Sequence, residues 1–520
     1  MYSIEIRSSC IVLNNYNFGD DTRIERMFSI WDRIRHRYKQ IVTFYDKSTK
    51  KYYIPRGINL YYLYSNNIQE SDLKHISPDL YENIGAVMLK YEPRDERQKE
   101  AIKFCLGLEK YKNNRNASQI SLNICTGAGK TYCAIFTFAY YQVKTMMITS
   151  SVSWLEQWKE KILEYTDLKE NEIYIISGSQ SIENLLNGKV NHHNIRFYLS
   201  THSTLYQWGK NNGWESVRTV FQTLKIGIKI YDEAHLYFEN ICRIDYFTNC
   251  WKTYYLTATP SKSDYFENKI YQKSFECVPK IDLYDEENDP HSKYLSILIN
   301  THPNPYQISR CTNNQYGFSV MNYIDYFATT DQYYKILKII LAHCFSQMTP
   351  EEKILIYIGK NEVIQQTYNW LRYYYNSISI GLYSNLTPKQ YKKQQLDCTL
   401  ILTTTKSASA LLDISNLKFV VVLNEPYNSL VTARQQLGRL RNRNTELIDV
   451  VDVGFFKLKD WYLNKLKNIY SKYCTEVNEI TYSNFDINRD INELNRLKML
   501  ERETNKKNLK TIVQRVSKNN

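Results

Sequence analysis

ICTGAGKTY, residues 124–132, joins a run of small residues to the helix-like sequence TYCAIFTFAYY of residues 131–141. Successive backbone N–H groups in such a loop, with the positive end of the following helix, form a concave site for anions. The pattern predicts a loop that binds a nucleoside triphosphate, in which Lys130 reaches the terminal phosphates and the Thr131 hydroxyl holds Mg²⁺. The predicted binding residues are Thr126, Gly127, Ala128, Gly129, Lys130 and Thr131. Because Ile124 stands where the strict pattern has its first Gly, a plain glycine-rich turn remains the alternative.

Short apolar segments alternate with helical stretches around this loop, over residues 91–265. The segments typical of strands are SLNIC, TMMITSS, IYIIS, RFYLST, KIGIKIY and YYLTAT. This alternation predicts a parallel sheet with helices on both faces, in which ligands bind at the carboxyl ends of the strands. The same pattern returns over residues 326–475 with KILIYIG, SISIGLY, TLILTTT, FVVVLNE and ELIDVVDV. We therefore predict an α/β protein with two tandem domains of one kind.

Three flanking segments have different compositions. Residues 1–90 predict a small β-rich or α+β module, since two strand-like segments flank Asp-Lys-Ser-Thr-Lys in KQIVTFYDKSTKKYYIPRGI. Residues 266–325 include DLYDEENDPHSKY and NTHPNPYQ, whose acidic and Pro content predicts a linker with an insertion. Residues 476–520 are basic with apolar residues at helical spacing, which predicts a helical tail that either grips phosphates or covers the core.

Composition limits the classes of partner and compartment. The 520 residues carry a net charge of +13, which favours an anionic partner, and they contain no apolar run long enough to predict a membrane span. The amino-terminal sequence lacks the pattern of a secretory signal. The 11 cysteines include no Cys-x-x-Cys pair, so we expect reduced thiols, a cytosol-like compartment and no structural zinc. The 46 tyrosines indicate an AT-rich gene rather than a surface that stacks on bases.

The sequence KIGIKIYDEAH places Asp232 and Glu233 directly after a strand of the first predicted sheet. An Asp at this position can hold Mg²⁺, and the adjacent Glu can orient and deprotonate the water that attacks the γ-phosphate. Two neighbouring carboxylates thereby divide metal binding and base catalysis. An isolated Asp-Glu at a strand end is more often a solvated turn, but the tetrad DEAH after a strand and a GAGKT loop is far more specific.

With these two motifs in order, residues 90–460 resemble a superfamily 2 helicase or translocase. The resemblance implies two RecA-like domains that clasp ATP and Mg²⁺ between them, and a nucleic-acid partner contacted mainly at its backbone. Within PRDERQKEAI, Gln98 is the residue expected to recognise adenine, with a plain amphipathic helix start as the alternative. Thr149 and Ser150 in TSSVSWLEQW, and Ser200 and Thr201 in YLSTHSTLY, are expected to contact phosphates through short hydroxyl side chains.

The same resemblance implies a coupling segment in YYLTATPSKSD. There Thr257 and Thr259 are expected to link ATP hydrolysis to the nucleic-acid track beside His235, in the DEAH tetrad. An ordinary strand terminus is the alternative, which the spacing of about twenty-five residues after the tetrad disfavours.

In the second domain, VTARQQLGRLRNRN resembles the closing motif of the family. Gln435 and Arg439 match it, and we expect both to contribute to catalysis, because an arginine near the transferring phosphoryl group stabilises the charge that develops there. The family's last arginine position is occupied by Asn442, between Arg441 and Arg443. Either Arg439 does this work with one of the flanking arginines, or hydrolysis is slow.

A further departure from the family lies in TTTKSASALLDISNL. Thr404 is expected to contact phosphate, and Asp413 matches the family's Gly-x-Asp loop, but Leu411 replaces the Gly. The departure weakens the prediction of nucleic-acid contacts here more than the prediction of the fold.

Within the superfamily, SWLEQW, QQLGRLRN and YYIPRG are most similar to viral and phage members and to the eukaryotic repair-transcription translocase. This resemblance implies DNA rather than RNA, a viral or cytoplasmic DNA element, and partners from its replication or transcription machinery. Three other hypotheses stay open: an RNA helicase, an ATP-binding scaffold with little hydrolysis, and the motor part of a nuclease. Against the nuclease, Pro78-Asp79 is the only Pro-Asp pair, and no Glu-x-Lys follows it closely.

Overall fold

A computed structural model describes most of the chain, in two compact units, Met1–Tyr284 and Asp285–Asn520. No helix among the described residues is long and apolar enough to cross a membrane. The described residues are 2–32, 36–64, 69–124, 129–257, 265–283, 292–312, 317–408, 414–440 and 444–482.

The amino-terminal module contains a small sheet and a separate hairpin. Its elements are β1 (Ser3–Ile6), β2 (Cys10–Asn14), α1 (Thr22–Met27), β3 (Ser29–Asp32), β4 (Arg37–Gln40), β5 (Phe44–Asp46), β6 (Lys51–Pro55) and β7 (Leu73–His75). The sheet has the order β5-β6-β2-β1-β7, while β3 and β4 form a two-stranded antiparallel sheet of their own. The predicted strand pair around Asp-Lys-Ser-Thr-Lys is confirmed as β5 and β6. Its turn is closed by Asp46, whose carboxylate accepts hydrogen bonds from Ser48 and Thr49.

This module shares one apolar core with the domain that follows it. Its buried residues Ile4, Val12 and Ile54 belong to the same cluster as Ile148 and Ile176 of the larger sheet. At the contact, the ring of Tyr53 lies 5.9 Å from that of Tyr246 and 5.1 Å from that of Phe247. Ser8 donates two hydrogen bonds of 2.9 Å, from its N–H and its hydroxyl, to the Asn249 side chain. The module is therefore built into the first unit.

The connecting segment, residues 79–90, runs along the edge where the strands of the larger sheet begin. Its backbone N–H groups donate to carbonyls of that domain, Asp79 to Asn249 and Ile84 to Gln142. The Arg196 guanidinium, directly before a strand, donates to the carbonyls of residues 84–86. Arg196 also forms an ion pair of 3.3 Å with Glu172.

A seven-stranded parallel sheet with helices packed on it forms the rest of the first unit, as predicted. Its strands have the order β10-β11-β9-β12-β13-β8-β14. The elements are α2 (Glu96–Leu106), β8 (Gln119–Ile124), α3 (Lys130–Tyr141), β9 (Thr145–Thr149), α4 (Val152–Tyr165), β10 (Ile173–Ile176), α5 (Ser179–Leu186), β11 (Phe197–Thr201), α6 (His202–Asn212), α7 (Glu215–Thr223), β12 (Ile228–Tyr231), α8 (Phe238–Tyr246), β13 (Lys252–Thr257), α9 (Tyr265–Ser274) and β14 (Lys280–Leu283). Because β8, β9, β11, β12 and β13 are buried throughout, their sequences are almost continuously apolar or short-polar.

The second unit repeats the architecture with strand order β17-β18-β16-β19-β20-β15-β21, again all parallel. Its elements are β15 (Ser292–Ile299), α10 (Pro305–Thr312), α11 (Val320–Ala328), α12 (Asp331–Ser346), β16 (Lys353–Ile358), α13 (Asn361–Tyr374), β17 (Ile380–Tyr383), α14 (Lys389–Gln395), β18 (Leu400–Thr403), β19 (Leu417–Asn424), α15 (Leu430–Leu437), β20 (Thr445–Asp452), α16 (Phe456–Lys465), α17 (Ser471–Tyr473) and β21 (Glu476–Thr481). A π-helical turn, Leu466–Tyr470, joins α16 to α17.

The described parts of residues 266–325 contradict the predicted linker. Strand β14 is the last strand of the first sheet, and β15 lies inside the second sheet between β20 and β21. The acidic and Pro-rich flanks hid two strands whose pairing partners are distant in sequence. The predicted tail of residues 476–520 begins with a strand, β21, and residues 483–520 lie outside the described residues.

Candidate active site

Lys130 and Glu233, 103 residues apart, meet at the carboxyl edge of the first sheet. Lys130 begins α3 after β8, Glu233 follows β12, and the Lys130 Nζ lies 3.0 Å from the Glu233 Oε1. Both are buried, with 8% and 2% of their surface exposed. A salt bridge with so little solvent access is costly to desolvate, so it is weak as a device for stability. Its position at the end of two parallel strands fits a site instead.

The loop before Lys130 is described only at its last residue, Gly129. Its φ of 92° lies in the left-handed region, and a Cβ there would stand 2.0 Å from the Gln98 Nε2. Gln98 is buried, and its Oε1 accepts a hydrogen bond of 2.7 Å from the Arg94 N–H. Gln98 thus lies against the end of the loop, while its recognition of adenine stays a prediction. The other predicted loop residues, Thr126, Gly127 and Ala128, lie outside the described residues.

Asp232 is buried beside Glu233 and is held by a tryptophan that the sequence did not connect to it. The Trp158 indole N–H, from α4, donates a hydrogen bond of 3.0 Å to the Asp232 Oδ2. The Glu233 backbone N–H donates another of 3.0 Å to Oδ1. Burial, and next the negative charge of Glu233, raise the pKa of Asp232 to about 6.

The DEAH turn has an unusual backbone at Glu233, whose φ of 49° is left-handed. Such a conformation costs a non-glycine residue on the order of 1–3 kcal/mol and is often found at functional sites. The turn is fixed by its neighbours, because the Asp232 N–H donates to the Ile148 carbonyl and the Ala234 N–H to the Leu256 carbonyl. The strain therefore aims the Glu233 carboxylate at Lys130.

His235 and Thr257 are in direct contact, at the ends of the neighbouring strands β12 and β13. The His235 Nδ1 lies 2.8 Å from the Thr257 Oγ1 and 3.4 Å from the Glu233 Oε2. Both residues are buried. The geometry joins Glu233 to the end of β13 through one imidazole ring, and the role of His235 and Thr257 in coupling stays a prediction. The other predicted coupling residue, Thr259, lies outside the described residues.

The predicted phosphate contacts of the first unit serve the fold in this structure. The Thr201 Oγ1 caps α6 by accepting a hydrogen bond from the Thr204 N–H, and the Ser200 hydroxyl donates to the Ile176 carbonyl. Thr149 is also buried, with its hydroxyl 3.0 Å from the Ser151 carbonyl, while Ser150 is half-buried. Short hydroxyl residues at strand ends also satisfy helix termini, so sequence cannot separate the two roles. Their contact with phosphates stays a prediction.

In the second unit, Arg439 is packed inward. It is 5% exposed, and its Nη2 donates a hydrogen bond of 3.2 Å to the Ala408 carbonyl. Gln435, four residues before Arg439, is half-buried on α15. The Thr404 Oγ1 lies 3.0 Å from the Ser407 Oγ. Their predicted roles stay predictions. The departures from the family, Leu411, Asp413, Arg441, Asn442 and Arg443, lie outside the described residues.

Glu425, which follows β19, was not predicted from the sequence. Its two carboxylate oxygens accept hydrogen bonds of 3.1 and 2.9 Å from the Thr405 backbone N–H. Burial raises the pKa of Glu425 to about 7. Next to it, the Gln436 Nε2 donates to the Thr405 Oγ1 at 3.3 Å. Glu425 and Gln436 thus fix the loop that begins at Thr404.

The first unit has oxygen ligands suited to Mg²⁺. Mg²⁺ keeps several waters and takes one or two protein oxygens beside substrate phosphates. Asp232 supplies a carboxylate and Thr131, half-buried in the first turn of α3, a hydroxyl with no hydrogen-bond partner in the described chain. No group of three or more His, Cys, Asp or Glu side chains among the described residues could hold a metal without such outside ligands.

Comparison with known proteins agrees with these features. Residues 90–262 match the family described as Type III restriction enzyme, res subunit. No curated protein matches the chain. The structure of S. cerevisiae Dbp5 bound to RNA and ADP BeF3 is similar, with a TM-score of 0.50 and 14% identity, over 77% of this chain and 93% of that one. At this identity the likeness shows the fold alone.

Two other solved structures are similar over most of their length. The structure of T4 UvsW matches with a TM-score of 0.34 and 13% identity, over 92% of this chain and 99% of that one. The structure of the Pyrococcus furiosus Hef helicase domain matches with a TM-score of 0.41 and 13% identity, over 71% of this chain and 97% of that one. These comparisons do not distinguish branches of the superfamily. The family match covers residues 90–262, about a third of the chain, and the two units have the tandem RecA-like fold.

Proposed function

We propose that the chain is an ATP-driven motor on nucleic acid, a helicase or translocase. The observation that carries this proposal is the buried group of Lys130, Asp232, Glu233 and His235 with Thr257. A catalytic carboxylate is in contact with a phosphate-binding lysine on one side. On the other side it is in contact with a histidine that reaches the next strand. This arrangement connects hydrolysis to the part of the sheet where nucleic acid is expected.

In this proposal each residue has one task during hydrolysis. Lys130 binds the terminal phosphates and so exchanges its 3.0 Å contact with Glu233 for one with the substrate. Glu233, released from the ammonium, orients the attacking water and accepts its proton. Asp232 and Thr131 would hold Mg²⁺, which would supply positive charge beside the phosphates. His235 passes the resulting movement of Glu233 to Thr257.

The preferred nucleic acid in this proposal is DNA, on the strength of the resemblance to phage and viral members. Contacts made mainly to phosphates give binding with little sequence preference that weakens as salt rises. RNA is the alternative, and Dbp5, whose fold is similar, was determined with RNA bound. A contact to a 2′-OH is what would separate the two. Comparing DNA and RNA of one sequence as activators of ATP hydrolysis tests the preference.

ATP hydrolysis stimulated by nucleic acid is the direct test of the proposal. We expect Lys130→Ala and Glu233→Gln each to lower the stimulated rate at least about 100-fold, because they remove a phosphate ligand and the base. The matched control is Lys161→Ala with Glu164→Gln, which removes an ion pair of 2.7 Å from the exposed face of α4. Equal rates in wild type and both site variants overturn the motor and leave the ATP-binding scaffold as the better hypothesis.

The nuclease hypothesis has less support. The Asp79 carboxylate of its Pro-Asp pair forms an ion pair of 3.1 Å with Arg218 and lies in the connecting segment. Cleavage of plasmid DNA by the purified chain with a divalent metal would favour that hypothesis. Its absence with intact ATP hydrolysis favours the motor alone.

The cellular setting is a separate proposal. From the resemblance we infer a viral or plasmid-like cytoplasmic DNA element, action in the host cytoplasm, and partners in that element's replication or transcription machinery. Coprecipitation of the tagged chain with polymerase subunits of the same element tests this directly. Recovery of the chain only from the nucleus would contradict the compartment.

A further inference from the structure

The β3–β4 hairpin of the amino-terminal module carries an exposed aromatic pair. Trp31 and Tyr38 are partners across the two strands, and their ring centroids lie 5.0 Å apart at an interplanar angle of 71°. They are 47% and 54% exposed. An exposed two-stranded sheet is only marginally stable by itself, and cross-strand aromatic pairs are one way to support it. Support of the hairpin alone, however, does not require positive charge around the rings.

One cation lies beside the pair, and two more flank it in sequence on the opposite face of the hairpin. Arg37 and Lys39 flank Tyr38 on β4, and the Arg26 guanidinium lies 5.9 Å from the centre of the Tyr38 ring. All three are exposed, and none has an ion pair with another residue of the described chain. Arg26, Trp31, Arg37, Tyr38 and Lys39 are called the hairpin surface below. Exposed aromatic rings near cations without an ion pair are a combination that proteins use to bind single strands.

The hairpin surface lies near the predicted nucleic-acid track. Ile41 and Val42, directly after β4, line a cavity of about 270 Å³ together with Tyr237 and Phe238 at the start of α8. Tyr237 is two residues beyond His235, and its ring lies 4.5 Å from that of His202, which follows Thr201. Strand β3 also lies beside α9. The base of the hairpin is thus continuous with the edge of the first sheet at which β11 and β12 end.

Two carboxylates define where a polyanion can run. Glu239 and Glu267 line the same cavity, and they repel phosphates from its interior. Strand β4, by contrast, exposes Arg37, Tyr38 and Lys39, with both cations on the face opposite to the Tyr38 ring. A single strand that passes along the hairpin therefore meets favourable charge there.

We propose that the hairpin surface binds single-stranded nucleic acid beyond the two RecA-like domains. Bases stack on Trp31 and Tyr38, while Arg26, Arg37 and Lys39 neutralise backbone phosphates. Single strands are the occupant because an unpaired base offers a free face, whereas in a duplex the neighbouring pairs cover it. This inference rests on the proposed function, since it extends the path of the same substrate.

The test measures binding of the full chain to a labelled oligothymidylate longer than about 16 nucleotides, by fluorescence anisotropy. We expect Tyr38→Ala to weaken binding between about 5- and 100-fold, and Tyr38→Phe, which keeps the ring, to change it little. Arg37→Ala with Lys39→Ala should lower the slope of log K against log salt by about 1.4. The matched control is Tyr61→Ala, in the same module and 73% exposed.

Two further measurements keep the outcomes distinct. The melting temperature of each variant shows whether the module still folds, and the salt slope of the double variant does not depend on the Tyr38 ring. One outcome overturns the hairpin inference alone: the oligonucleotide stimulates ATP hydrolysis by the wild type, but the hairpin variants bind it as tightly as the wild type does. Wild type without stimulated hydrolysis overturns the proposed function. Tighter binding of duplex than of single strand by the hairpin surface also refutes the inference.

Discussion

Replacing Trp158 by Phe separates the chemistry of Asp232 from its packing. The change keeps an aromatic ring against the site and removes the indole N–H that donates to the Asp232 Oδ2 at 3.0 Å. That hydrogen bond favours the ionised carboxylate, so its loss raises the pKa of Asp232 above its present value of about 6. A hydrogen bond to a charged group contributes about 1.5–3 kcal/mol, and one pKa unit corresponds to about 1.4 kcal/mol. The expected increase is therefore about one to two units.

The consequence is a shift in the acid limb of activity. Asp232 holds Mg²⁺ only when ionised, so hydrolysis falls as pH drops through its pKa. The assay is kcat/KM for ATP against pH at low Mg²⁺, which reports the free enzyme. Wild type should lose activity near pH 6, and Trp158→Phe near pH 7 to 8.

Trp208→Phe is the matched control for the loss of volume. Trp208 is also buried in the first unit, but its Nε1 has no hydrogen-bond partner in the described chain. Replacement of Trp208 by Phe should leave the pH at which activity falls the same as in wild type. An unchanged limb in Trp158→Phe, or an equal shift in both variants, refutes the role given to the indole.

Three other substitutions test the site. Asp232→Asn should abolish hydrolysis yet raise the free energy of unfolding at pH 8 by up to about 3 kcal/mol. The reason is that a carboxylate whose pKa is raised from about 4 to about 6 destabilises the fold when it is ionised. In urea unfolding, this gain in stability should disappear as the pH falls from 6 to 4. Gly129→Ala, at φ 92° and with a Cβ 2.0 Å from the Gln98 Nε2, should weaken binding of a fluorescent ATP analogue at least about 10-fold, and full binding by this variant contradicts the geometry. Thr257→Val should lower the free energy of unfolding by about 0.5–1.5 kcal/mol, since it removes the 2.8 Å hydrogen bond between Thr257 Oγ1 and His235 Nδ1, and unchanged stability in chemical denaturation would argue against that bond.

The sequence predicted the parts of the fold and site that follow from local pattern. Lys130 and Glu233 each follow an apolar strand, and parallel strands bring their carboxyl ends to one edge, so their meeting was predictable. Strands β14 and β15 were missed because acidic and Pro-rich flanks dominate their windows. Their pairing partners also lie far along the chain, β15 with β20 about 150 residues later.

Contacts between side chains of separate elements could not be predicted from the sequence. Trp158 and Asp232 are 74 residues apart, and nothing in either local sequence says that an indole N–H meets a carboxylate. Thr201 shows the opposite difficulty, because one hydroxyl at a strand end suits both a helix cap and a phosphate. Glu425 gave no signal, since its effect arises from burial beside the Thr405 N–H.

The common core of the amino-terminal module and the first sheet has a consequence for modularity. A chain cut near residue 90 would uncover the apolar surface on which Tyr53 packs against Tyr246 and Phe247, and would leave Asn249 without the Ser8 hydrogen bonds. Residues 1–284 should therefore melt in one cooperative transition. The first RecA-like domain therefore cannot be exchanged for that of another protein without its amino-terminal module.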